Sequence, residues 1–208
     1  MASGGMASAR IPRLVVFVRA PLAGAVKRRL AAGIGDAAAR AVYAGTTRTL
    51  LRRVGFDARW RTVLAVTPDE FARRGRFWPT ALPHIPQGAG DLGARMARAF
   101  RRYPAGPTVI VGSDIPGIEA RHVAAAFAAL GDADAAIGPA EDGGYWLIGL
   151  RHARFARALF TGVRWSTPHA LADTLANLRG RRVALLERLA DIDDAADLAR
   201  WRAAAGGR

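Results

Sequence analysis

An α/β domain with a mostly parallel sheet and helices on both faces is predicted by two observations. Strand-like apolar runs alternate with helical patterns along the chain, and such alternation favours parallel strands joined by crossover helices. The first run, Leu14 to Val18, is continuously apolar and β-branched, as a strand covered on both faces must be.

The elements follow in order. Residues 1–12 are small, Gly-containing and unpatterned, so a disordered N-terminal tail is expected there, with one domain over residues 13–208. Arg13 to Val18 is the first strand, broken by Arg19-Ala-Pro21-Leu-Ala-Gly24, a loop read to continue to Leu30. Asp36 is the expected N-cap of an amphipathic helix reaching Val54. Thr62 to Val66 is a second strand. A helix from Asp91 to Arg102, a strand Thr108 to Val111, a helix Glu119 to Leu130 and a strand Ala135 to Gly138 continue the alternation. A strand Gly144 to Leu150, a helix Pro168 to Leu178, a short strand Val183 to Leu186 and a helix Ala195 to Ala203 complete it. A chain of 208 residues with 51% hydrophobic content suits one domain, and no linker or repeat marks a second.

Composition narrows the chemistry. Cysteine is absent, which removes disulfides, thiolate metal sites and a cysteine nucleophile, and no apolar run is long enough for a membrane span or a signal-peptide core. A cytoplasmic protein is expected. The formal charge of +14 invites a nucleic-acid reading, but the arginines are scattered, largely in pairs on helical segments, without interleaved aromatics to stack bases. No nucleic-acid partner is expected. Of 31 basic residues only Lys27 is lysine, so a compact ammonium is wanted at that point or the residue stands there by chance.

In an open α/β sheet, ligands bind beyond the carboxyl ends of the strands, which directs attention to four segments. The loop after the first strand holds Arg19, Lys27, Arg28 and Arg29 beside Gly24, cations and a flexible turn suited to a di- or triphosphate. It has neither a Walker pattern nor a G-x-G-x-x-G series. Ser113 and Asp114 follow the strand ending at Val111; Asp114 is either a hard oxygen ligand for Mg²⁺ or Mn²⁺ or a cap for the next helix.

The third segment, Gly138 to Trp146, places Glu141, Asp142, Gly143 and Gly144 after a strand. It offers Asp142 to a metal or to an acceptor hydroxyl and close backbone approach to a ligand, and equally a hairpin turn. In the fourth, Asp194 and Asp197 fit helix initiation, leaving Asp193 as a second candidate metal ligand. His84, His122, His152 and His169 show no metal spacing.

Taken in order, these motifs resemble the DUF2064 family of GT-A glycosyltransferase-like proteins. The likeness runs from Arg19-x-Pro21 and Val26-Lys27-Arg28-Arg29-Leu30, through Gln87 to Met96, to Gly112-Ser113-Asp114-x-Pro116-Gly117. It continues through Gly138 to Gly149, Trp165-Ser166-Thr167 and the closing Asp-x-Asp. Arg28 and Asp194 depart from it, standing where the family commonly has threonine.

The resemblance implies a GT-A, nucleotide-diphospho-sugar transferase-like fold: a three-layer αβα sandwich with a mostly parallel mixed sheet. It makes Asp114 the counterpart of a metal-binding aspartate. The donor phosphates would lie among Arg19, Pro21, Gly24, Lys27 and Arg29, and the nucleotide would border Gln87, Gly90, Asp91, Ser113, Gly143 and Gly144. Asp91 as a helix N-cap remains an equal reading, as does a cap at Ser166 to Pro168. The expected activity is metal-dependent sugar transfer from a nucleotide-diphosphate sugar to an acceptor. Lys27 and Arg29 would stabilise charge, and Asp142 would activate the acceptor hydroxyl. The alternative is nucleotidyl transfer from a nucleoside triphosphate with pyrophosphate release, which the same fold can serve.

Overall fold

The computed structural model describes residues 11–74 and 77–206. The expected N-terminal tail therefore lies outside the described residues, save for Ile11 and Pro12. The elements are β1 (Arg13–Arg19), α1 (Arg28–Ile34), α2 (Asp36–Val54), β2 (Arg61–Thr67), α3 (Phe71–Arg74), β3 (His84–Pro86), α4 (Leu92–Arg102) and β4 (Thr108–Gly112). Then come α5 (Ala120–Ala129), β5 (Ala135–Pro139), β6 (Tyr145–Leu150), a 3₁₀ turn at Ala153–Phe155 leading into α6 (Ala156–Leu159), α7 (Ala170–Ala176), β7 (Val183–Leu185) and α8 (Ala195–Gly206).

The seven strands form one sheet in the order β3-β2-β1-β4-β6-β5-β7. Only β6 runs against its neighbours, pairing antiparallel with both β4 and β5. The carboxyl ends of the other six strands therefore share one edge with the start of β6. The reversal is the hairpin that the Asp142-Gly143 segment offered as its alternative reading, since β6 enters from β5 by a tight turn and no crossover helix.

Period-two alternation sorts β1 between two cores. Leu14, Val16 and Val18 pack on one face with Leu50, Leu51 and Val54 of α2 and Val123 and Ala126 of α5. Val15 faces the other side, with Met96 and Phe100 of α4 and Ala156 and Leu159 of α6. A third cluster of Leu30, Ala39, Ile192 and Leu198 ties the start of the chain to its end, joining α1 and α2 to α8. That closure carries the C-terminal acidic segment to the first loop.

Two predicted helix starts shift. Asp36 is the first helical residue of α2, not its cap; Gly35, at φ 83°, makes the turn that a side chain with Cβ would resist, and Asp36 Oδ1 instead accepts from Gly24 N at 2.8 Å. The helix expected from Pro168 begins at Ala170, because Ser166 sits at φ 59° and Thr167 Oγ1 accepts from His169 N at 3.2 Å. Among the described residues no helix is long and apolar enough to cross a membrane.

Candidate active site

A cleft of about 810 Å³ opens at the shared strand edge, between the loops after β1, β4 and β5 and the segment before α8. Each wall is fixed by local chemistry. After β1 the chain turns through Gly24 at φ +64°, and Lys27, itself left-handed at φ 48° and ψ 51°, opens α1. After β4, Asp114 projects into the cleft. It caps no helix, since α5 starts six residues later behind Glu119, whose backbone N–H donates to His122 Nδ1 at 2.9 Å.

The centre of the cleft is Lys27. Its Nζ donates to Asp114 Oδ2 at 2.8 Å and to Asp193 Oδ1 at 3.1 Å, bonding across 87 and 166 residues of sequence. The Lys27 side chain is 9% exposed. Burial opposes its charge, but Asp114 and then Asp193 outweigh that cost and hold the ammonium above its ordinary pKa. Arg29 Nη1 lies 3.6 Å from Asp193 Oδ2 at the rim.

Tyr43 stands behind these groups. Its hydroxyl accepts from Arg19 N at 2.7 Å and lies 3.0 Å from Ser113 Oγ, while Thr47 Oγ1, one turn along α2, donates to the Ser113 carbonyl at 3.2 Å. Burial raises the Tyr43 hydroxyl pKa, so it stays protonated at neutral pH. Arg53 donates to the carbonyls of Pro116 and Ile118 and pins the far side of the same loop.

The β5–β6 connection is a tight turn as well as a wall of the site. Asp142 Oδ1 accepts from Gly144 N at 2.8 Å, which leaves Oδ2 for the cleft. Gly143, at φ +84°, passes so close to Pro168 that an added Cβ would lie 2.4 Å from its carbonyl oxygen. The close approach expected of this glycine is made to the protein's own backbone.

Asp191 also lines the cleft, an acidic residue the motif reading left without a role. Burial first, then the like charge of Asp193, lifts its carboxyl pKa to about 6; Lys27 opposes, and Asp114 and Asp142 add to the rise. Four carboxylates thus share the neighbourhood of one ammonium in a chain whose net charge is +14.

Of the sequence candidates, Arg19, Lys27, Arg29, Gln87, Ser113, Asp114, Asp142, Gly144 and Asp193 line the cleft. Pro21, Gly24, Gly90, Asp91 and Gly143 do not line it. Asp91 caps α4 by accepting from Ala94 N at 2.8 Å and borders a separate groove of about 450 Å³ beside Arg98 and Arg101. Gln87 reaches the cleft while its amide donates to the carbonyls of Val18 and Ala65, joining the ends of β1 and β2. Tyr43 escaped the sequence reading because it falls on the buried stripe of α2. The signal was a second hydroxyl, Thr47, one turn away on that apolar face.

Two oxygens from separate loops converging on one cation form a hard donor set, with the ammonium as stand-in ion. Mg²⁺ is commonly held by one or two carboxylates plus substrate phosphates, and Asp114 with Asp193 fits that arrangement. Among the described residues no group of three His, Cys, Asp or Glu side chains is placed to hold a metal alone.

The family described as an uncharacterised protein conserved in bacteria, DUF2064, matches residues 50–167. A crystal structure from Desulfovibrio desulfuricans G20, provisionally described as a nucleotide-diphospho-sugar transferase, is 30% identical, with a TM-score of 0.81 over 90% of this chain and 84% of that one. Rv0371c from Mycobacterium tuberculosis H37Rv, in complex with manganese, is 16% identical with a TM-score of 0.55 over 93% and 98% of the two chains. The 2-C-methyl-D-erythritol 4-phosphate cytidylyltransferase of Thermus thermophilus is 19% identical with a TM-score of 0.51 over 94% and 98%. No curated protein matches the sequence. The fold is of the nucleotide-diphospho-sugar transferase-like GT-A kind.

Proposed function

The chain belongs to the DUF2064 family, and from that premise we propose that it is a transferase acting on a nucleotide-activated donor, with sugar transfer from a nucleotide-diphosphate sugar as its reaction. The observation that carries the reading is the meeting of Lys27, Asp114 and Asp193 at the carboxyl ends of the strands, in a fold shared with the D. desulfuricans protein.

In this reading Arg19, Lys27 and Arg29 receive the donor's diphosphate, the lysine as a point charge and the arginines as forks. A divalent cation bound by Asp114 and Asp193 would supply further neutralisation of that diphosphate. Asp142 Oδ2 takes the proton of an acceptor hydroxyl as its oxygen bonds to the sugar carbon; the bond from that carbon to the diphosphate oxygen breaks, and a nucleoside diphosphate leaves. Tyr145, Trp165 and Ser166, which line the cleft on the β6 side, border the acceptor.

Nucleotidyl transfer is the second reading, favoured by the shared fold of the T. thermophilus cytidylyltransferase. The two readings differ in what leaves. Nucleotide sugars and nucleoside triphosphates are first screened by melting shift with and without Mn²⁺, since a ligand of the native state must raise its melting temperature. The stabilising donors are then assayed for released products. Nucleoside diphosphate from a nucleotide sugar supports sugar transfer; pyrophosphate from a triphosphate, with no diphosphate released, replaces it with nucleotidyl transfer.

A further inference from the structure

Lys27 already bridges the two carboxylates that a cation held here would need. Its Nζ lies in hydrogen-bond contact with Asp114 Oδ2 and Asp193 Oδ1 together, and those oxygens come from loops far apart in the chain. A divalent cation held by both carboxylates would occupy the gap between them. That position and the ammonium's are too close to be filled at once, both sterically and by repulsion between cations.

The displaced lysine then has little water to turn to. Its side chain is 9% exposed and lines the cleft, and its backbone stands in the left-handed conformation at the N-cap of α1. A nearly buried ammonium without a partner is strongly unfavourable, so it needs another anion. The donor's phosphate is that anion in the reading above. A cation arriving alone strands Lys27; a phosphate arriving alone draws Lys27 away and strands two carboxylates beside Asp191 and Asp142. Only their joint arrival leaves Lys27, Asp114 and Asp193 all paired.

We propose that Lys27 and the divalent cation are alternative occupants of the Asp114–Asp193 pair, and that transfer of Lys27 from these carboxylates to the donor phosphate couples entry of cation and nucleotide. The form admitted is then the metal–nucleotide complex. This rests on the metal and donor roles proposed above. It also gives a reason for lysine here in a chain whose 30 other cations are arginine: a point charge on a flexible stem changes partners with less geometric demand than a planar fork.

The test measures two ligands whose affinities should move in opposite directions. Mn²⁺ binding to wild type, Lys27→Met and Lys27→Gln is followed by electron paramagnetic resonance of free Mn²⁺, without nucleotide. Metal-free binding of inorganic pyrophosphate, a probe independent of the base, is followed by calorimetry. Expected is Mn²⁺ binding tighter by about tenfold in both variants, the lower end of what a neighbouring partner usually changes in metal affinity, with pyrophosphate binding weaker.

Arg29→Gln is the control, because it removes a cation near Asp193 that does not lie between the carboxylates; a change under about threefold is expected there. Equal tightening in Arg29→Gln would mean that net charge alone is at work and would overturn the proposal. So would unchanged or weaker Mn²⁺ binding in folded Lys27 variants while Asp114→Asn abolishes it in wild type, an outcome that leaves the metal reading standing. Mn²⁺ binding indifferent to Asp114 in every protein would remove the metal reading and the proposal with it. If the lysine variants do not fold, wild type alone decides: pyrophosphate must tighten Mn²⁺ binding beyond the affinity of Mn²⁺ for pyrophosphate itself, and no such gain overturns the coupling.

Discussion

The Tyr43 hydroxyl lies 3.0 Å from Ser113 Oγ and at the same time accepts from the backbone N–H of Arg19, so one buried side chain of α2 joins the loop of Lys27 to the loop of Asp114. Tyr43→Phe keeps the ring, its edge contact with Trp78 and its packing, and removes only the junction. The expected loss of stability is about 1–3 kcal/mol, because the Arg19 N–H and the Ser113 hydroxyl lose a partner in a buried setting. Urea denaturation reads this loss. Donor binding should weaken as well, and a variant with lower stability but wild-type donor affinity would show that the junction only supports the fold.

Asp114→Asn tests the cation site from the other side. Asp114 is partly exposed, at 37% of its side chain, and Asp193 stays paired with Lys27, so the amide should be tolerated by the fold. The variant should keep the wild-type circular dichroism spectrum and lose the Mn²⁺-dependent part of the melting shift given by a stabilising nucleotide. A decline of about tenfold or more in the cation's affinity is expected when one of two charged ligands becomes neutral. An undiminished Mn²⁺-dependent shift would take Asp114 out of the site.

These roles differ in how far the sequence alone discloses them, and the reason is range. Leu14 to Val18 and the helix from Leu92 were legible because apolar period and an N-cap such as Asp91 act within a few residues. The strand His84–Pro86 was not, since three residues with one buried member, Ile85, make no period. Helix α1 was read as loop because its entry is the left-handed backbone of Lys27, which no capping side chain announces. At the site, Lys27, Asp114 and Asp193 were each singled out by residue type and position. Their contact with one another was not, because β1 must pair with β4 to bring Asp114 to Lys27, and the Leu30–Ala39–Ile192–Leu198 cluster must fold the chain's end onto its beginning to bring Asp193.

Two glycines in the left-handed region separate backbone strain from steric exclusion. Gly24→Ala, at φ +64° with nothing within 4 Å of the new Cβ, should cost about 1–2 kcal/mol, the usual penalty for that conformation. Gly143→Ala adds a methyl 2.4 Å from the Pro168 carbonyl oxygen and 2.7 Å from its Cα, both rigid backbone atoms. It should cost more than Gly24→Ala, about 3 kcal/mol or above, and should disturb Asp142 beside it. Chemical denaturation of both variants checks the order; equal losses would mean that the 143 and 168 loops part without cost.

Asp173 gives a pH dependence whose sign can be worked out. Its carboxylate accepts from Arg164 N, Nε and Nη2 at 3.0, 2.9 and 2.9 Å, closing the loop that presents Trp165 to the cleft. The side-chain bond from Arg164, then its backbone bond, holds the Asp173 pKa down to about 2, against about 3.9 in an unfolded chain. A depressed carboxylate stabilises the fold fully above the unfolded value and loses that contribution as pH falls toward the folded one. Asp173→Asn should therefore melt below wild type by a constant margin from pH 7 down to about 5, and the margin should shrink between about pH 4 and pH 2 as wild type takes up its proton. Melting curves across that range test it, and a margin that grows as the pH falls would contradict the assignment. High salt should narrow the margin at pH 7 only in part, because three directed hydrogen bonds, unlike an exposed ion pair, are not removed by screening.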